Sequence, residues 1–330
     1  MLFFDPASTE NGRTKDPTVV RFRGRYWMYY TIWLSPSVTG IGIATGDDPG
    51  RWTPVAMLPL DGPLEEEGIA APGAVVLDDR LHLFYQTYSQ RNFHGAAILH
   101  AWSDDGVRFT RDASNPVVSP RHGDGTPFAW CSGRAIDAEA AVIGDRLFLY
   151  YATRDPSGRV QMLGASAAPV SGDGDYSRAR WEPLCPDAPL LRPGTPTPLD
   201  DSDMDLAWEG ECIEAPAILA HGGRIYLFYG GNFNLGPQQI GVAVSEDGRH
   251  FARLNRGQPI LPNGSPGSWN HGESGHPAVF RAPDETCHLF FQGCNPALDP
   301  PLDWRLSSVP LTWHKTPGKP DLPLPVPAPV

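Results

Sequence analysis

The sequence predicts an all-β fold, a five-bladed β-propeller whose four-stranded antiparallel blades surround a central channel. Three observations carry the prediction. One apolar hairpin pattern recurs five times along the 330 residues, further strand-like runs follow most of the copies, and glycine (35) and proline (36) fall as punctuation between short apolar stretches. Hydrophobic residues make up 41% of the chain and charged residues 19%, enough apolar material for a large core and too little charge for disorder.

The five copies begin at Asp16, Ala71, Asp137, Ala215 and His276. Each runs from an apolar strand through a polar turn to a strand rich in aromatic and β-branched residues, as in Asp16-Pro-Thr-Val-Val-Arg-Phe-Arg-Gly-Arg-Tyr-Trp-Met-Tyr-Tyr-Thr31. That order is the mark of a half-buried hairpin. After the hairpins come Ile41-Gly-Ile-Ala-Thr, Leu99-His-Ala-Trp-Ser, Val160-Gln-Met-Leu-Gly and Ile240-Gly-Val-Ala-Val. Three of these run into a turn and then an aromatic (Trp52, Phe109, Phe251), and the third run reaches Trp181 after a longer excursion. Four strands in each of five units is the arithmetic of a propeller, whereas a two-sheet sandwich leaves the fivefold copying unexplained.

On this reading residues 1–316 form one propeller domain. The insertion from Pro186 to Trp208, rich in proline and aspartate, predicts a loop or lid over one face. From Pro317 to Val330 the proline spacing predicts a polyproline II or disordered tail.

A net charge of -12 argues against nucleic acid or an anionic membrane as partner, and favours a neutral substrate. Five cysteines (Cys131, Cys185, Cys212, Cys287, Cys294) are an odd number without CxxC spacing, so reduced core thiols are expected in place of disulfides or zinc. The stretch after Met1 has no basic region or long apolar run, and no later segment has the length to span a bilayer; for a chain that starts natively at Met1 the expectation is a cytoplasmic protein.

The innermost strand of every blade lines the channel of a propeller, so equivalent positions of different blades converge. Asp16, Asp137 and Glu214 open inner-strand segments of blades one, three and four. Gathering three carboxylates raises at least one pKa, which lets one acid stay protonated as a donor while another stays ionised as a base. Each acid alone would pass as a turn cap, but three at matched positions point to a shared pocket.

Lys15-Asp16-Pro17, Arg134-Ala-Ile-Asp137 and Glu214-Ala-Pro216, in that order across the blades, resemble the signature of five-bladed propeller glycosidases, glycoside hydrolase family 43 and its relatives. The resemblance covers nearly the whole chain, residues 14 to 314. It implies an oligosaccharide substrate and three roles: Asp16 as the general base on water, Glu214 as the general acid on the leaving oxygen, and Asp137 as the residue that orients the acid and tunes its pKa. Together they would remove terminal arabinofuranoside- or xyloside-like sugars from neutral oligosaccharides with inversion. Relatives acting on fructosides use the blade-one aspartate as a nucleophile, so a fructoside or anhydrosugar glycosidase and a non-catalytic carbohydrate-binding propeller stay open as alternatives.

The resemblance also implies that His276 reaches the axis and meets a bound calcium or sodium ion, directly or through water. A buried, hydrogen-bonded histidine without metal is the other reading, and no cofactor is otherwise required. Glu209 and Glu211 crowd Glu214, and His271 and Glu273 lie near His276, which leaves a histidine acid as an alternative to Glu214. Trp33, Trp130, Trp208, Phe233 and Trp269 flank hairpins at the channel mouth and offer faces for sugar stacking or for packing between blades. Arg134 is available to a carboxylate or a sugar hydroxyl.

Overall fold

The computed structural model of the protein describes residues 2–88, 95–233 and 235–326. Its strands form five four-stranded antiparallel sheets in simple sequential order. Blade one holds β1 (Thr14–Phe22), β2 (Arg25–Ser35), β3 (Val38–Asp48) and β4 (Arg51–Leu58), and blade two holds β5 (Ile69–Leu77), β6 (Arg80–Thr87), β7 (Ile98–Ser103) and β8 (Thr110–Arg111). Blade three holds β9 (Ile136–Ile143), β10 (Arg146–Arg154), β11 (Gln161–Pro169) and β12 (Glu182–Pro183). Blade four follows with β13 (Ile213–His221), β14 (Arg224–Gly231), β15 (Gln239–Ser245) and β16 (Ala252–Arg253). Blade five closes the ring with β17 (Glu273–Arg281), β18 (Cys287–Asn295), β19 (Leu302–His314) and β20 (Leu322–Pro325). All five cysteines are free and buried.

Each second strand is apolar along most of its length because both of its faces are covered. Alternation with period two sends Tyr29 toward Leu83 and Tyr85 of blade two, while Met28 and Tyr30 pack with Phe290 of blade five. A cluster of buried apolar residues fills every gap between blades in this way. The N-terminal segment completes the circle: Phe3 exchanges backbone hydrogen bonds of 2.8 and 3.0 Å with Leu306 on β19, and Arg13 pairs with Asp303 at 2.7 Å.

The inner strands share a second device. Their pairing is interrupted at one matched place, where a non-glycine residue has positive φ: Asp16 (52°), Ala71 (45°), Asp137 (54°), Ala215 (51°) and His276 (44°). Such a residue costs about 1–3 kcal/mol and re-aims its side chain, here toward the axis. The preceding blade holds the bulge amide. Asp16 N–H donates to Gln292 Oε1 (2.9 Å), Ala71 to Thr31 Oγ1 (2.8 Å), Asp137 to Gln86 Oε1 (2.7 Å) and His276 to Gln238 Oε1 (3.0 Å).

Two expectations need correction. The proline-rich segment is not a separate tail, because Leu322–Pro325 pairs with Leu311–His314 as the outer strand of blade five, so the propeller runs past residue 316. Prolines alternate there, which suits an edge: Val326 N–H still donates to Pro310 O at 2.8 Å, while Pro323 and Pro325 fall at intervening positions. Residues 327–330 of that segment lie outside the described residues. The insertion at 186–208 is a loop, but it packs along the outer parts of blades three and four, where Arg253 on β16 holds Asp200 and the carbonyls of Arg192 and Thr195. None of its residues lines the channel cavity.

Truncation after residue 316 is therefore expected to lower stability by about 2 kcal/mol, the burial of roughly one aliphatic side chain. Urea denaturation of the full and shortened chains checks this, and equal midpoints would restore the tail.

Candidate active site

The bulges on β1, β9 and β17 and the start of β13 bring Asp16, Asp137, His276 and Glu214 to one cavity of ≈120 Å³ at the channel. His276 lies at its centre: Nδ1 is 2.8 Å from Asp16 Oδ1 and Nε2 is 3.1 Å from Glu214 Oε1. Glu214 accepts further bonds from Gln238 Nε2 (2.8 Å) and Gln161 Nε2. Arg154 in turn donates to Gln161 Oε1 at 3.1 Å, which orients that amide. Asp137 differs from Glu214, since its Oδ2 is buried without a hydrogen-bond partner among the described residues.

The electrostatics follow from these contacts. Burial opposes ionisation of Asp16, but the charge of His276 and of Lys15 outweighs it and holds the carboxyl well below the usual range. Glu214 is equally desolvated, yet His276, Lys15 and Gln238 bring it down to about 2. Burial lifts Asp137 to about 7; Glu214 and Asp16 add to the rise, and His276 and Arg134 offset only part of it. His276 is also desolvated, but Asp16, Glu214 and Asp137 drive it well above its ordinary value, so it carries a charge at neutral pH. The pocket thus holds two ionised carboxylates, one imidazolium and one carboxyl poised to titrate near neutrality.

Asp137, Glu214 and His276 each present a ligand-type atom within 4.8 Å of the others. Three ligand atoms fall short of the six to eight oxygens that calcium takes, so water would have to supply most of a calcium shell here. Both imidazole nitrogens face carboxylates, and the protonated ring supplies the positive charge that a cation would bring between Asp16 and Glu214.

Of the other sequence-chosen residues, Trp33, Arg134 and Phe233 line the cavity. The three remaining tryptophans do not, and packing accounts for each. Trp130 stacks near Phe128 and donates to Cys185 O (3.0 Å), Trp208 stacks on Tyr229 with ring centres 5.9 Å apart, and Trp269 leans on Phe291 at 5.4 Å. The crowding acids also separate by role. Glu211 pairs with Arg159 at the surface, and Glu273 is buried against Trp304 and Gln292. Glu209 is fully buried, 2.7 Å from Arg253, and accepts from Tyr229 Oη at 2.7 Å. Blade two repeats that triad as Glu65, Arg111 and Tyr85, none of which lines the pocket, which marks it as a device of blade construction. His271 binds the carbonyl of Gly264 and stays outside the cavity.

Sequence reasoning missed the glutamines. Gln86 and Gln292 directly follow the aromatic runs of β6 and β18, as Thr31 follows that of β2, so a polar residue at the end of an otherwise apolar strand was the available signal. Gln161 and Gln238 carry no such alignment.

No protein-family model and no curated protein matches the chain by sequence. Solved structures do match its fold. A thermostable family-43 glycoside hydrolase superposes with a TM-score of 0.68 at 18% identity, covering 99% of this chain and 98% of that one. An α-L-arabinofuranosidase from Lactobacillus brevis gives 0.65 at 17%, covering 98% and 97%. The Bombyx mori GH32 β-fructofuranosidase BmSUC1 gives 0.67 at 17%, with 98% of this chain matched to 64% of that one. The chain shares the five-bladed propeller fold of these glycoside hydrolases.

Replacing Glu209 by Gln should cost about 2–3 kcal/mol, because it strips a buried guanidinium of one of its two carboxylates and leaves only Asp200. Urea denaturation reads the loss; full stability with abolished activity would instead return Glu209 to the pocket chemistry.

Proposed function

We propose that the protein is a glycoside hydrolase that removes terminal sugars, arabinofuranoside- or xyloside-like, from neutral oligosaccharides. The observation that carries the reading is the meeting of Asp16, Asp137 and Glu214 around His276 in one channel cavity. Carbohydrate substrates of the structural neighbours, an arabinofuranosidase and a fructofuranosidase among them, support the class.

Asp16, ionised and held by His276, is the general base that takes a proton from water. Glu214 faces the leaving oxygen and delivers a proton to it. That proton is retained up to about pH 7 by Asp137, whose carboxyl oxygen lies within 4.8 Å of the Glu214 carboxylate. Substrate hydroxyls that bond to Asp137 favour its ionised form and so pass the proton to Glu214, which makes Asp137 the reservoir and Glu214 the donor. His276 contacts Asp16 Oδ1 through Nδ1 (2.8 Å) and Glu214 Oε1 through Nε2 (3.1 Å), so an imidazole ring stands between the two carboxylates, an arrangement that suits a separated, inverting pair better than a close retaining one. No step runs through a metal ion.

Asp16→Asn and Glu214→Gln are each expected to lower kcat/KM by about 10²–10⁴ on the best aryl glycoside. Glu214→Gln should recover most on a dinitrophenyl leaving group, which needs no protonation, and survival of both variants at full rate would remove the assignment. Activity should fall as pH rises through about 7, because Asp137 then loses the proton that Glu214 delivers; Asp137→Asn, with no such proton to pass, should be slow at every pH, and its residual rate should lack that limb. NMR of the first-formed anomer reads inversion directly, and EDTA should leave the rate within about twofold.

A further inference from the structure

A second cavity, ≈510 Å³, lies beside the acid pocket between blade four, blade five and the N-terminal segment. Asn11, Phe233, Gln238, Glu273, Leu302 and Trp304 contribute to its wall. Phe233 lines both cavities and is 46% exposed, so the two are neighbours on either side of its ring. Gln238 also belongs to both sides, lining the larger cavity while its Nε2 donates to Glu214 Oε1 at 2.8 Å. The larger space therefore adjoins the carboxylate assigned to the leaving oxygen.

The aromatic groups are held in advance. Trp304 Nε1 donates to the buried Glu273 Oε2 at 2.9 Å, and the Lys15 ammonium lies 4.8 Å from the Trp304 ring centre and 5.7 Å from that of Phe233. Their charges are already matched. Lys15 is surrounded by Asp16, Glu273 and Glu214, and Arg13 beside Trp304 is bonded to Asp303. A rigid aromatic wall whose cations are matched suits an uncharged ring with C–H faces.

We propose that this cavity is the leaving-group subsite, which takes the second sugar of a neutral oligosaccharide against Phe233 and Trp304. The inference rests on the glycosidase reading and adds where the remainder of the substrate lies. The ≈120 Å³ pocket is left for the terminal sugar alone.

The test compares Phe233→Ala and Trp304→Phe with the wild type on two substrates having the same terminal sugar: a neutral disaccharide, and the glycosyl fluoride, whose leaving group is one atom. The ratio of kcat/KM, disaccharide over fluoride, should fall about tenfold in Phe233→Ala, mainly through KM, and fall also in Trp304→Phe. Circular dichroism and thermal melts establish that the variants are folded. A ratio unchanged in both folded variants overturns the subsite while fluoride hydrolysis leaves the glycosidase reading standing. A wild-type protein that cleaves neither substrate overturns that reading, and the subsite with it.

Discussion

The constraint on which the molecule depends is the left-handed bulge repeated in every inner strand. A regular strand would point successive side chains alternately to the two neighbouring blades, and none along the axis. The bulge breaks that alternation once per blade and turns Asp16, Asp137 and His276 into the channel. Because an L-residue in that conformation is strained, it persists only where the surroundings hold it, and the preceding blade does so through Gln292, Gln86 and Gln238. Packing between blades and the geometry of the pocket are thus one problem with one solution.

The pocket also illustrates how buried charge is accommodated. Three carboxylates this close would repel in a desolvated cavity, and the imidazolium of His276 resolves two of them by lying between Asp16 and Glu214. The third, Asp137, has no such contact at Oδ2 and keeps its proton. The difference between Asp137 and Glu214 arises from their surroundings: amides and an imidazolium donate to Glu214, while burial dominates at Asp137, whose Oδ2 has no hydrogen-bond partner among the described residues.

Much of this was legible in the residues. The five hairpins, their period-two alternation and the three acids at matched positions pointed to the ring and to the convergence of Asp16, Asp137 and Glu214. Trp130, Trp208 and Trp269 were not resolved by such patterns, because an aromatic beside a loop packs or binds according to which way the loop turns. Residues 322–325 were misread since alternating proline and leucine looks the same in an isolated polyproline helix and on a sheet edge; only Pro310 and Thr312 across the pairing decide it. The identity of Glu209 likewise hung on Arg253, which is 44 residues away.

The ring is sealed by Phe3 meeting Leu306, and His276 belongs to the same final blade. A ribosome delivers the chain from the other end, so three negative side chains are made long before the group that reconciles them. Until blade five emerges, Asp16 and Glu214 have no imidazolium between them. Maturation of the pocket is accordingly tied to the synthesis of blade five, and a nascent chain stalled in blade four would carry the acids without the centre they form.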